Sequence, residues 1–156
     1  MNSELTRGAI KKFLANIGLD QLGEGNWEVF NITHTVAEPT KEVLKDTRNY
    51  LHSKLPDELS GIYVYQSVDG TILYIGKAKK LYDRVYSHYR ETYTSVGGDK
   101  SGVWHYFFNS NPGELKIYWT KIGSERQRHI VEQCLEEYFG SKFDEEFPTG
   151  KRVLPR

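Results

Sequence analysis

The chain has 156 residues and 18.1 kDa, enough for one domain with a modest extension, and its 38% hydrophobic and 13% aromatic content can bury a core, which excludes a wholly disordered chain. Twenty-one basic residues balance 21 acidic ones, so any nucleic-acid-binding surface must be local. No apolar run approaches the roughly 20 residues of a membrane span, residues 1–19 lack the apolar core of a signal peptide, and a single cysteine, Cys134, excludes an internal disulfide or a multi-cysteine zinc site. A soluble cytoplasmic protein that does not engage a membrane is the expectation.

In chain order, Ser3 is placed to cap a helix running to about Ile17, with Ile10, Phe13, Leu14 and Ile17 at helical spacing. Gly18, Gly23 and Gly25 then break the pattern, and the partial alternation of residues 27–33 suggests a strand. Pro39 and Thr40 open a second helix to about Leu55, its apolar side formed by Val43, Leu44, Tyr50 and Leu51, and Pro56 closes it. Residues 1–58 carry no chemical motif and read as an N-terminal helical extension that serves packing.

Residues 62–66 and 71–75 are short β-rich runs on either side of Asp69-Gly70, a pair suited to a tight hairpin turn. A helix follows over about 78–90, burying Leu81, Tyr82, Val85 and Tyr89, and Gly97-Gly98 marks a loop. Val103, Trp104, Phe107 and Phe108 suggest a short helix, with a strand as the alternative. Residues 115–120 alternate as a strand. Over 124–139, Ser124 and Gln127 make a capping pattern for a helix with Ile130, Val131, Cys134, Leu135 and Tyr138 at its 3.6-residue period. The expected fold is α+β: a small antiparallel sheet, hairpin plus third strand, flanked by helices. Residues 59–147 are read as the functional domain and 148–156 as a tail.

Three groups of residues are candidates for chemistry. Lys80, Arg84 and His88 are spaced by four and share one helix face, which Lys77 and Lys79 extend. Between Lys77 and Arg90 the only acid is Asp83, so this is a local cationic stripe suited to phosphates, though solvated helix faces commonly look the same. Tyr63 and Tyr74 sit one on each hairpin strand. A tyrosine with a pKa near 10 becomes a base only beside a cation that stabilises its phenolate, and two ordinary strand tyrosines are the simpler meaning. Glu132 lies four residues after Arg128 and four before Glu136, the usual pattern of a solvated ion pair, but a lone carboxylate is also how Mg²⁺ is commonly held.

The hairpin reads Gly61-Ile62-Tyr63, ten residues, then Tyr74-Ile75-Gly76. Together with GKAKKLYDRVYSHY (76–89) and RHIVEQCLEEYFGSKFD (128–144), this resembles the GIY-YIG nuclease superfamily over roughly residues 60–143, and the nuclease module of the bacterial excision-repair incision subunit in particular. The resemblance implies a phosphodiesterase acting on DNA, with one divalent metal, Mg²⁺ first and Mn²⁺ as a substitute, held by Glu132. It assigns Tyr63, Tyr74, Lys77, Arg84 and His88 to catalysis, and the cationic stripe of Lys77, Lys79, Lys80 and Arg84 to binding the nucleic acid. Arg84 would neutralise charge on phosphorus, Tyr74 first and Tyr63 second would accept the proton of the attacking water, and Lys77 and His88 would lower the phenol's pKa or relay protons. The five residues Tyr63, Tyr74, Arg84, His88 and Glu132 should then converge on one surface. Asp144 stands where relatives carry Asn and receives no role. The alternatives are a catalytically inactive nucleic-acid-binding module on the same scaffold, and an interaction protein whose working surface is the N-terminal extension.

Overall fold

The computed structural model describes residues 5–19, 27–96 and 102–148. Its centre is a four-stranded antiparallel sheet of β1 (Glu28–His34), β2 (Gly61–Ser67), β3 (Ile72–Ala78) and β4 (Gly113–Lys121) in the order β1-β4-β2-β3. The run expected as a strand at 27–33 is therefore the outer strand of the same sheet, paired from Glu28↔Trp119 to His34↔Gly113. The hairpin forms as its turn residues predict. Gly70 takes φ +91°, and Asp69 holds the turn by accepting from the Thr71 N–H at 2.9 Å and from the Ser67 hydroxyl.

Helices α1 (Arg7–Asn16), α2 (Lys41–Lys54), α3 (Leu81–Glu91), α4 (Val103–Ser110), α5 (Glu125–Phe139) and α6 (Lys142–Glu146) divide between the two faces. One face of the sheet, with Phe30, Ile32, Tyr63, Tyr65, Tyr74, Leu115 and Ile117, is covered by α2, α3, α4 and α6. The other, with Ile62, Val64, Ile75 and Tyr118, is covered by α1 and α5. This is why β2 is buried at six of its seven positions instead of alternating: it is an interior strand packed on both sides. No helix among the described residues is long and apolar enough to cross a membrane.

Helix starts follow their capping residues. Thr40 accepts from the Val43 N–H at 3.2 Å and Ser124 from the Gln127 N–H at 3.3 Å, as read from sequence. The first helix differs: Thr6, not Ser3, is its cap, and Ser3 lies outside the described residues, as do Gly23, Gly25, Gly97 and Gly98. Ile17, Val43, Tyr50 and Ile130, expected to be apolar contacts, are exposed. Helix α6, not anticipated, is started by Ser141 and buries Phe143 against Tyr74 and Phe107, with ring centroids 4.9 and 5.1 Å apart.

Candidate active site

The two triplet glycines explain how the tyrosines are set. A β-carbon at Gly61 would lie 1.9 Å from the Thr120 carbonyl oxygen, so only glycine lets β2 and β4 approach there. One at Gly76 would lie 2.6 Å from the Tyr63 hydroxyl and 2.7 Å from the Tyr74 ring. Gly76 faces Tyr63 in the β2–β3 register, and its bare Cα leaves the space into which the Tyr63 phenol folds. The rings of Tyr63 and Tyr74 come to 5.8 Å, and that of His88, from α3, lies 5.8 and 5.2 Å from them.

Tyr63 is fully buried, and its hydroxyl meets His88 Nε2 at 2.8 Å. The other imidazole nitrogen, Nδ1, meets Glu91 Oε1 at 2.8 Å. Burial, with the nearby Arg84 charge, holds His88 well below the ordinary histidine range, so the ring is neutral and its contact with Glu91 is a hydrogen bond to a carboxylate. This corrects two expectations. His88 belongs to the core, not to a solvated cationic stripe, and it lends no positive charge to a phenol.

Arg84 supplies that charge instead. Its guanidinium lies within electrostatic range of the Tyr63 and Tyr74 hydroxyls and favours their ionised forms. Both phenols are nevertheless held above the usual tyrosine range, because burial outweighs the cation. Tyr74 differs from Tyr63 in being 8% exposed, and the Tyr63 hydroxyl and Trp104 indole favour its ionised form.

Glu132 is half-buried on α5, not on a freely exposed face, and its carboxylate is close enough to oppose ionisation of Tyr74. The apolar side of α5 covers the sheet face opposite α3, and α5 and α6 both pack against the edge strand β3, which leaves the Glu132 carboxylate within electrostatic range of Tyr74. Arg128, its expected solvated partner, is itself buried and donates through Nη1 to the carbonyls of Ile122 and Gly123 at 3.0 and 2.9 Å. Lys77, on the same edge strand, meets His129 Nδ1 at 3.1 Å, one helical turn before Glu132. Lys79 is exposed, while Lys80 turns to Glu58 at 3.2 Å and is partly neutralised.

Tyr63, Tyr74 and His88 thus form one packed cluster with the Arg84 charge beside it, while Lys77 lies against α5 and Glu132 is within electrostatic range of Tyr74. No group of three or more His, Cys, Asp or Glu side chains among the described residues could enclose a metal ion. Glu132 suits a hard cation that keeps most of its waters or takes oxygens from a substrate. Sequence reading missed Glu91 and His129. Glu91 lies three residues after His88 on a helix, where side chains meet, and that spacing was the available signal.

Residues 59–98 match the family model of the UvrC-like GIY-YIG domain. The chain is similar to UvrABC system protein C of Bacteroides fragilis, 46% identical over 90 residues, covering 56% of this chain and 12% of that protein. The corresponding protein of Bacteroides thetaiotaomicron is 42% identical over 83 residues, covering 51% and 11%. The chain thus spans about an eighth of the length of these relatives. Among solved structures, the GIY-YIG N-terminal endonuclease domain of UvrC from Thermotoga maritima, bound to magnesium, aligns at TM-score 0.42 and 23% identity over 67% of this chain and 98% of that one.

Proposed function

We propose, from the match of residues 59–98 to the UvrC-like GIY-YIG domain, that this chain is a metal-dependent endonuclease hydrolysing phosphodiester bonds of DNA. The observation that carries the reading is the packing of Tyr63 and Tyr74 over Gly76 against His88, with the Arg84 and Glu132 charges within electrostatic range of Tyr74. A packing role alone gives no reason to place a guanidinium against two buried phenols.

In this reading Glu132 holds a divalent cation, Mg²⁺ or Mn²⁺, which supplies charge neutralisation at the phosphate oxygens when bound. Arg84 stabilises the charge that grows on the phosphoryl group. Tyr74 accepts the proton of the attacking water, because a base must touch the reacting atoms and Tyr63 is closed off. Its phenol is held above its ordinary value by burial, and the Arg84 charge works against that shift and favours the phenolate that can accept a proton. Lys77 and Lys79 neutralise backbone phosphates at the rim.

The test is nicking of supercoiled plasmid with Mg²⁺ and with chelator. Wild type should cut only with the metal. Glu132→Ala should not cut, while its melting curve stays near wild type because the side chain is only half-buried. Equal cutting by the variant would remove Glu132 from the metal site.

A further inference from the structure

Four polar groups run in series from the core to the candidate site: Glu91, His88, Tyr63 and Arg84. Glu91 Oε1 meets His88 Nδ1 at 2.8 Å, and His88 Nε2 meets the Tyr63 hydroxyl at 2.8 Å. The Arg84 charge lies within electrostatic range of the same hydroxyl. Glu91, His88 and Tyr63 are 6%, 0% and 0% exposed, so their proton positions are decided within the protein.

The two ends of this series are chemically one-sided. A carboxylate only accepts hydrogen bonds, and a guanidinium only donates them. With Glu91 ionised, Nδ1 must carry the imidazole proton and Nε2 must be the acceptor. Tyr63 must then give its proton to Nε2, which turns the phenol's lone pairs toward Arg84. The directions agree at both links: Tyr63 donates to His88 and His88 to Glu91, which leaves the phenol's lone pairs free to face the Arg84 charge. In the other imidazole tautomer, Nε2–H would donate to Tyr63 and the phenolic proton would turn toward that charge.

We propose that Glu91 is a positioning residue, whose carboxylate fixes the His88 tautomer and, through it, the direction of the Tyr63 hydroxyl packed against Tyr74. Glu91 touches neither substrate nor metal. Its carboxylate does its work from the far end of a helix turn, on the buried side of α3. The role in cleavage rests on the endonuclease reading above; the direction of the hydrogen-bond series does not.

The experiment pairs two readouts on the full chain: ¹⁵N chemical shifts of the His88 ring, and single-turnover cleavage of plasmid with Mg²⁺. Wild type should show the Nδ1–H tautomer, and an Nε2–H tautomer would overturn the proposal without any variant. Glu91→Leu removes the acceptor at similar volume. It should convert His88 to Nε2–H and slow cleavage about 10-fold to 100-fold, the usual effect of losing an outer partner that orients a functional histidine. DNA affinity should stay within about twofold, since the rim lysines remain. Glu91→Gln, which accepts through its amide oxygen, should restore both the tautomer and most of the rate. A Glu91→Leu protein that cuts like wild type overturns the role of Glu91, and loss of DNA binding in place of rate does so as well. If wild type itself fails to cut, the endonuclease reading falls while the tautomer result still reports on the series.

Discussion

At the scale of single residues, Gly76 does more than permit a strand. Alanine there would place its β-carbon 2.6 Å from the Tyr63 hydroxyl and 2.7 Å from the Tyr74 ring; Tyr74 is walled in by His88, Phe108 and Phe143, and Tyr63 by Tyr65 and His88. Overpacking of this kind costs about 1–3 kcal/mol. Gly76→Ala should therefore lower the midpoint of denaturant unfolding and, by turning Tyr63 off His88, reduce cleavage further than the stability loss explains. An alanine variant with the wild-type midpoint would mean that the rings yield freely. The tyrosine and glycine positions were legible in the sequence through the triplets, and Arg84 and Glu132 through the flanking motifs. His88 was legible as a site residue, but spacing alone placed it with the solvated cations. Helical periodicity tells which residues share a face, not which face the sheet covers. The aromatic packing of Tyr63, Tyr65 and Phe108 decides that here.

At the scale of elements, β1 and α3 are tied through His34. Its Nδ1 donates to Thr92 Oγ1 at 2.8 Å, and that hydroxyl goes on to the His88 carbonyl at 3.2 Å. Burial, helped by His88, pushes His34 down to about 3. The sign of the pH effect follows directly. The unfolded chain takes up a proton as pH falls through about 6.5, whereas the folded chain refuses it until pH approaches 3. The stability tied to neutral His34 is complete above about 6.5 and is lost progressively toward 3, with His88 acting in the same direction. Melting temperatures measured from pH 7 to pH 4 should fall steadily, and His34→Phe should flatten that fall; an unchanged slope would place the acid sensitivity elsewhere. The strand itself was readable from its partial alternation, but its partner was not, because the pairing with β4 spans most of the chain. Helix α6 was missed because five residues give too little periodicity to read, although Ser141 and Asp144 mark its start.

At the scale of the whole molecule, zero net charge coexists with a cationic rim because the acids and bases are sorted by position. Lys80 is paired with Glu58, so in the proposed function Lys77, Lys79 and Arg84 are the cations left to meet phosphates. There Arg84 serves the reaction and not only the binding of DNA. The most direct measurement is single-turnover plasmid cleavage by Arg84→Lys beside its DNA affinity at fixed salt. Lysine keeps the charge but loses the planar donor fork that grips phosphate oxygens. The cleavage rate should drop by at least about 10²-fold, as when one charge-stabilising donor is lost, with affinity nearly unchanged because a cation remains. An Arg84→Lys protein that cuts at the wild-type rate would contradict the account, however well it bound DNA.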